Sequence, residues 1–307
     1  ADDYRMGQKF GLGMFTLVDR EGKFIAGTGI YAGRYVKNYK DEKDYQDVKV
    51  DISVELKKRG QAFRVEKYEH SYPHCWRTDK PVIYYPLDAW FIRTTAARER
   101  MVELNKTIQW KPASTGEGRF GNWLENMVDW NLSRSRYWGT PLPVWRTEDG
   151  EEEICCGSIA EIKQHLHEES PEKDLVDVHK PYIDQVILRS PSGKKMYREP
   201  DLIDVWFDSG AMPYAQWHFP FEQLDASRPP AFPADYIAEG IDQTRGWFYT
   251  LHALAVLLFD SVAYKTVIAN GFVLDKHGNK MSKRLGNVVD PFETIGQYGA
   301  DATRLAE

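Results

Sequence analysis

The stretch that begins near residue 234 constrains the fold most strongly, because its apolar residues change pattern twice. Tyr236-Ile237-Ala238 has the pattern of a short strand, an apolar helix follows through residue 259, and residues 265–273 have the pattern of a second strand. A strand, a helix and a strand in succession predict a βαβ unit with parallel strands. The sequence therefore predicts an α/β fold that contains half of a doubly wound, nucleotide-binding sheet.

The first seventy residues carry weaker signals. Residues 14–18 resemble a strand that ends in a turn at 19–22, and residues 63–68 alternate as a strand does. Residues 44–58 carry apolar side chains at helical spacing, become basic late and are followed by Gly60, which predicts a helix with a glycine stop. Further along, we expect a helix with one solvated face near 158–169 and a proline-rich connector at 229–233.

Composition excludes some classes of protein. A net charge of −6 argues against a protein covered in basic surface, although a basic patch on an acidic body could still bind nucleic acid. The chain opens on acidic residues where an export signal would be basic, and its most apolar stretch, residues 247–259, is too short to cross a bilayer. We therefore expect a cytoplasmic protein with no membrane partner. The start without Met and the end at 304–307, inside a helical pattern, indicate a piece of a longer chain.

The cysteines predict neither a disulfide framework nor a zinc site. Cys75, Cys155 and Cys156 are the 3 cysteines of the chain, and they lack the paired spacing that a structural zinc ion requires. His74-Cys75 is the nearest approach to half of a zinc site, and the simpler interpretation is a buried thiol beside a hydrogen-bonded histidine. We expect no metal site in this chain and a reducing compartment.

Two polar segments follow the predicted strands, where open α/β sheets bind their ligands. After the second strand come Asp275 to Asn279 and then Lys280-Met281-Ser282-Lys283-Arg284. Two lysines three positions apart on a glycine-containing loop suit a polyphosphate, whose developing charge mobile lysines can follow. A solvated charged loop is the alternative interpretation.

The other polar segment, residues 239–248, joins the first strand to the helix. It places Glu239, Gly240, Asp242 and Gln243 at a helix start, where carboxylates can accept hydrogen bonds from a ribose and an ammonium group. Capping of the helix by Asp242 is compatible with this interpretation.

These segments carry a family resemblance. KMSKR at 280–284 resembles the KMSKS motif of class I aminoacyl-tRNA synthetases and departs from it only at Arg284. The resemblance implies that Lys280 and Lys283 stabilise the phosphates of ATP, while the amino-acid carboxylate attacks the α-phosphorus in line. Such a reaction requires neither a metal nor a nucleophilic side chain of the protein.

Within that class the chain resembles the isoleucyl-tRNA synthetases. EGIDQTRGWF at 239–248 matches their corresponding segment, and DVWFDSG at 204–210 and the block at 122–141 agree. By resemblance Glu239, Gly240, Asp242 and Gln243 contact the aminoacyl-adenylate. Trp206 and Trp247 border the isoleucine side chain. Valyl and leucyl relatives carry different residues at 239–248.

The N-terminal part resembles the end of the family's inserted editing domain. Its Asp-Asp-Tyr segment at 2–4 places Asp3 where the family's aspartate binds the α-amino group of a mischarged residue, and Asp2 matches less well. The resemblance implies three regions: the C-terminal part of a mainly β editing domain at 1–80, a connecting and catalytic-body region at 81–233, and the second half of the Rossmann-like catalytic domain at 234–307. Some relatives bind zinc at the return from the editing domain, but Thr78 replaces one of the cysteines here.

The resemblance implies ligation of isoleucine to its tRNA by way of isoleucyl-adenylate, with hydrolysis of mischarged valyl-tRNA. The expected partners are ATP with Mg, isoleucine and the isoleucine tRNA, bound by a monomer, and zinc is possible only elsewhere in the intact enzyme. The HIGH motif, the threonine-rich part of the editing pocket and the anticodon-binding domain are not in this sequence, so the chain alone is not expected to charge tRNA. A valyl or leucyl enzyme, a nucleotidylyltransferase with a related sheet and a non-catalytic tRNA-binding module are the alternatives.

Overall fold

The structure, a computed structural model, describes residues 2–75, 78–222, 227–282 and 286–306. It divides into two compact units, Ala1–Asp88 and Ala89–Glu307. The roles inferred for the regions 1–80, 81–233 and 234–307 stay predictions.

The first unit is formed by helices and turns. Its elements are α1 (Asp2–Phe10), a 3-10 segment (Ala26–Tyr31) and α2 (Val48–Lys58). Among the described residues of this unit, β pairing is limited to isolated bridges such as Val18 with Phe24 and His74 with Pro81. The strands predicted at 14–18 and 63–68 are therefore wrong for this structure. Residues 63–68 have no neighbouring strand among the described residues, and Phe63 is fully exposed.

The helix predicted at 44–58 is present but begins later. The side chain of Asp47 accepts a hydrogen bond from the Lys49 amide and caps α2, which fixes its first residue at Val48. Gly60 follows the helix with φ of 66°, a left-handed conformation that glycine adopts without strain, so the predicted glycine stop is confirmed.

The described residues of the second unit form one parallel sheet and three antiparallel ones. Its strands are β1 (Phe91–Ile92), β2 (Gln109–Lys111), β3 (Trp130–Asn131), β4 (Ser133–Arg134), β5 (Val144–Thr147), β6 (Glu153–Cys155), β7 (Leu188–Arg189), β8 (Lys195–Arg198), β9 (Leu202–Ile203), β10 (Ala234–Gly240) and β11 (Tyr264–Asn270). Its α-helices are α3 (Arg98–Asn105), α4 (Gly121–Glu125), α5 (Ile159–Gln164), α6 (Val205–Gly210), α7 (Met212–Ala215), α8 (Trp247–Phe259), α9 (Pro291–Tyr298) and α10 (Ala300–Ala306). Shorter helical segments are Thr94–Ala97, Ile183–Gln185 and Ile241–Arg245 (3-10) and Thr115–Phe120 (π). The antiparallel sheets have the orders β6-β5-β8-β7, β1-β3 and β4-β9.

The parallel sheet confirms the predicted βαβ unit. β10 and β11 run parallel from Ala234 opposite Tyr264 to Gly240 opposite Asn270, and α8 connects them. The third strand, β2, pairs in parallel with the other side of β11 and was not predicted. With only three residues it lacks the apolar run that identified the other two strands.

Helix α8 is the centre of the main core. Residues 248–256 of this helix are all buried, so its apolar character extends around the whole circumference. Phe248 and Tyr264 pack with Trp110 from β2, and their ring centroids lie 5.8–6.4 Å apart. A second core, around Trp145, Val186 and Met196, covers one face of the four-stranded sheet. Within the described ranges, no helix has the length and apolar character needed to span a membrane.

Candidate functional site

The polar segment at 239–248 lies at the carboxyl edge of the parallel sheet, on the surface. β10 and β11 end side by side at Gly240 and Asn270, and the 3-10 segment Ile241–Arg245 follows β10 directly. Glu239 and Asp242 are exposed at this edge. Two carboxylates facing solvent at the ends of parallel strands can accept hydrogen bonds from hydroxyl or ammonium groups of a ligand.

Residues 240–246 form a tight turn, called the polar turn below, and two glycines permit its close contacts. A Cβ at Gly240 would lie 2.6 Å from Oδ1 of Asp242, and one at Gly246 would lie 2.7 Å from Oε1 of Gln243. The same Gln243 oxygen accepts a 3.0 Å hydrogen bond from the amide of Trp247, so it caps α8. The capping contact considered for Asp242 is thus made by Gln243, and the Asp242 side chain lies at the exposed edge.

Helices α6 and α8 bring the two candidate pocket tryptophans to the same place. Gly210 permits the helices to touch, because a Cβ there would lie only 3.0 Å from Cβ of Thr250. The Trp206 ring lies 3.3 Å from the position of a Cβ on Gly246. The indole Nε1 of Trp247 donates to the carbonyl of Ser209 at 3.0 Å. Both rings keep a solvent-facing surface, and Trp206 is 42% exposed.

Asp204 holds the start of α6 in position. Its buried carboxylate accepts hydrogen bonds from Nε1 of Trp130 at 3.0 Å, from Nη2 of Arg134 at 2.7 Å and from the amide of Trp206 at 3.2 Å. The sequence blocks at 122–141 and 204–210 are therefore joined through one side chain. Burial raises the pKa of the nearby Asp208 carboxyl, to which Thr140 donates a 3.1 Å hydrogen bond.

Arg119 and Thr244 form a support that the sequence analysis missed. Nε of Arg119 donates a 2.9 Å hydrogen bond to Oγ1 of the fully buried Thr244, which itself donates to the Ile241 carbonyl at 2.8 Å. Arg245 lies over the Trp123 ring at 5.2 Å. Arg119 could have been suspected from the glycine-rich segment around it, but only the fold brings it to Thr244.

The lysine loop is organised by one carboxylate. Asp275 accepts hydrogen bonds from the amides of His277 and Asn279 and from Nδ2 of Asn287 at 2.8–2.9 Å. Hydrogen bonding, chiefly from Asn287, lowers the pKa of Asp275. The ammonium of Lys280 lies 4.2 Å from the centroid of the Phe272 ring. Lys283, with Arg284, lies outside the described residues, so its predicted role stays a prediction.

Asp3 lines a cleft within the first unit. The cleft has a volume of about 900 Å³, and Tyr4, Gln8, Lys37 and Lys49 are among its lining residues. Asp3 is exposed there. Burial, followed by the neighbouring Lys49, lowers the pKa of Lys37 to about 8. The cleft is therefore lined by one carboxylate, that of Asp3, and by the amines of Lys37 and Lys49.

The potential metal ligands stay apart. Among the described residues, no group of three or more His, Cys, Asp or Glu side chains is placed to hold a metal ion. The Cys75 amide instead bonds to the Lys80 carbonyl at 2.8 Å in a tight turn.

The comparisons with known proteins define the class. Residues 32–306 match the family described as tRNA synthetases class I (I, L, M and V), and the chain belongs to that family. The resemblance found in the sequence is thereby confirmed, as is the α/β fold with a parallel sheet.

The similar curated proteins are isoleucine–tRNA ligases. This chain is 63% identical to the isoleucine–tRNA ligase of Cytophaga hutchinsonii, and the match covers 94% of this chain. It is 53% identical to the isoleucine–tRNA ligase of Porphyromonas gingivalis, and that match covers 99% of this chain. A solved structure of Mycobacterium tuberculosis methionyl-tRNA synthetase bound by methionyl-adenylate is 18% identical over 76% of this chain and 35% of that chain, with a TM-score of 0.43. The chain spans 28% and 31% of the length of the two curated relatives.

Proposed function

We propose that the protein containing this chain is an isoleucine–tRNA ligase, and that this chain supplies part of its adenylate site. The observation that carries the proposal is the identity of 53–63% to isoleucine–tRNA ligases over nearly the whole chain. The polar turn at the carboxyl edge of the parallel sheet, with two indoles beside it, supports the same conclusion.

The proposed reaction has two steps. The isoleucine carboxylate attacks the α-phosphorus of ATP, an O–P bond forms, and pyrophosphate leaves. A ribose hydroxyl at the 3′ end of the tRNA then attacks the carbonyl of the adenylate, and AMP leaves. The protein contributes position and positive charge to the first step, which has no need of a covalent protein intermediate.

The polar turn suits the adenylate. Glu239 and Asp242 have exposed carboxylates that accept hydrogen bonds from the ammonium group of isoleucine and the hydroxyls of the ribose. The amide nitrogen of Gln243 and the backbone at Gly240 complete this edge. Lys280 and Lys283 neutralise the phosphates of ATP, which enters as its magnesium complex.

The two indoles suit the side chain. Trp206 and Trp247 present flat apolar surfaces near Gly246, and a branched aliphatic group packs well against such walls. Valine is one methylene smaller, and that difference is worth only about 1–3 kcal/mol, a limit for which isoleucyl-tRNA synthetases are the usual example.

A second, hydrolytic site would remove the valine that passes the first. We propose that the unit of residues 1–88 belongs to this editing site and that Asp3 binds the α-amino group of the mischarged residue. Its exposed carboxylate on a cleft of about 900 Å³ supports this assignment. We further propose that the enzyme acts as a monomer in the cytoplasm on the isoleucine tRNA.

The decisive experiment is ATP–pyrophosphate exchange by the product of the complete gene. Isoleucine, valine and leucine are compared at equal concentrations, and isoleucine is expected to give the highest kcat/KM. A preference for valine or leucine would assign the protein to another member of the same family. Exchange that is independent of any amino acid would overturn the ligase assignment.

A further inference from the structure

Two aromatic side chains on the surface of the second unit are largely exposed, and no helix or strand of the described residues covers them. Trp138 is 72% exposed and its neighbour Tyr137 is 68% exposed. Large adjacent aromatic rings in water are uncommon on a surface that contacts only solvent, and such rings are enriched where a partner binds. The proposed adenylate site uses neither ring.

Trp138 is held in place rather than left to rotate. Its ring stacks on the imidazole of His179 with centroids 4.9 Å apart and an interplanar angle of 6°. Asp177 fixes His179 through the backbone amide and Nδ1, both at 2.8 Å. A stacked pair of this kind offers one free, preorganised indole face.

The backbone after Trp138 is also anchored. Gly139 has φ of 149°, and a Cβ at this position would lie 3.1 Å from Cδ1 of Leu202. The next residue, Thr140, accepts a 2.7 Å hydrogen bond from the Ile203 amide. The backbone next to Trp138 is therefore held against β9. Because this segment is already ordered, a bound partner would lose less affinity to ordering it.

A lysine follows His179 directly and reaches the segment that carries Trp138. The ammonium of Lys180 donates to the carbonyl of Arg136 at 3.5 Å and also to that of Pro200, and neither carbonyl carries a charge. Among the described residues, neither Lys180 nor Arg136 pairs with a carboxylate. The acidic group nearest in sequence, Asp177, is already engaged by His179. The patch formed by Trp138, His179 and Lys180 thus combines an exposed indole face with an ammonium group that pairs with no carboxylate among the described residues.

We propose that this patch binds an unpaired nucleotide of an RNA, with its base stacked on Trp138 and its phosphate beside Lys180. Aromatic faces next to cations are the arrangement by which proteins bind single-stranded nucleic acid. The chain carries a net charge of −6, so contact with RNA depends on such local features rather than on a basic surface. Resting on the proposed function, the inference assigns this nucleotide to the unpaired 3′ end of the tRNA.

The test measures tRNA binding to the complete gene product at fixed salt concentration. Two RNAs are compared: intact tRNA and the same tRNA without its unpaired 3′ nucleotides. Trp138→Ala is expected to raise the Kd for intact tRNA by about tenfold and to leave the Kd for the truncated RNA unchanged. Trp138→Phe, which retains a stacking face, should recover part of the loss, and His179→Ala should give a smaller loss of the same kind.

Trp217→Ala provides the matched control, because this tryptophan is also exposed, at 39%, but lies outside the patch. Its Kd should equal that of the unaltered protein. An equal loss for both RNAs would indicate a different partner surface, such as one for another protein, and an unchanged Kd for intact tRNA would also overturn the proposal. Exchange of pyrophosphate in the presence of isoleucine, measured without tRNA, tests the proposed ligase function separately and should be the same for Trp138→Ala and the unaltered protein.

Discussion

Nε of Arg119 donates a 2.9 Å hydrogen bond to Oγ1 of Thr244, 125 residues further along the chain. Thr244 is completely buried beneath the polar turn that carries Asp242 and Gln243. The exposed side chain of Arg119 therefore supports this turn through its hydrogen bond to Thr244.

Arg119→Met should loosen this turn. It leaves a buried hydroxyl without its donor, at a cost of about 1–2 kcal/mol, and we expect KM for isoleucine and for ATP to rise together by roughly tenfold. Both KM values are measured by ATP–pyrophosphate exchange. Arg119→Lys should restore part of the affinity, while Arg93→Met, at an exposed arginine, should have no effect. A loss of thermal stability with unchanged KM values would limit Arg119 to folding.

The sequence predicted the strands and helix of the βαβ unit because their apolar runs are long and their order permits few arrangements. It could not predict β2, whose three residues carry no pattern, nor the link from Arg119 to Thr244, since contacts between distant segments depend on the fold. The alternation at 63–68 predicted a strand that the structure lacks, because a strand requires a partner to pair with.

Removal of an indole wall should weaken selectivity. In Trp247→Ala the loss of packing contacts should reduce kcat/KM for isoleucine, and the preference for isoleucine over valine should fall by about tenfold. KM for ATP should stay within about twofold, because neither ring is proposed to touch a phosphate. Exchange assays with isoleucine, valine and leucine measure this. An unaltered preference would restrict Trp247 to packing against Ser209.

Lys280 and Lys283 of the lysine loop should act on the transition state. Lys280→Ala and Lys283→Ala should each lower the rate of isoleucine activation by about a hundredfold and leave equilibrium isoleucine binding nearly unchanged. Lys276→Ala is the matched control, because it removes an exposed lysine of the same loop outside the motif. A defect confined to isoleucine binding would contradict the proposed contact with the ATP phosphates.

Substitution of Asp3 should impair editing without affecting the activation of isoleucine. Asp3→Ala is expected to reduce hydrolysis of preformed valyl-tRNA by at least about tenfold, because a charge-assisted hydrogen bond to the ammonium group is lost. Isoleucine activation should remain normal. Asp2→Ala serves as the comparison, since it alters the adjacent carboxylate. Equal hydrolysis by all three proteins would move the editing assignment to other residues.

His252 should make stability depend on pH. It is fully buried in α8, its Nε2 donates to the Met101 carbonyl at 2.9 Å, and burial lowers its pKa from 6.5 to about 4. Below pH 6.5 the unfolded state binds a proton that the folded core does not accept. The free energy of unfolding should therefore fall from about pH 6.5 to about pH 4, by on the order of 3 kcal/mol.

Thermal unfolding of the unaltered protein and of His252→Gln, measured from pH 7 to pH 4, isolates this effect. Gln keeps a donor for the Met101 carbonyl but does not titrate in this range. The difference in stability between the two proteins should shrink as the pH falls. Parallel pH profiles would mean that His252 accepts the proton without cost.

The contact of Gly210 with Thr250 has a genetic consequence. Any side chain at this position must push α6 away from α8, and Trp206 would move with it although no residue of the polar turn has changed. A methyl group here would crowd Thr250 and Leu254 and lower the free energy of unfolding, so the altered protein should unfold at a lower temperature than the unaltered one. Position 210 is therefore where a search for heat-sensitive alleles of this gene should find changes that impair the proposed ligase activity without altering a residue of the polar turn.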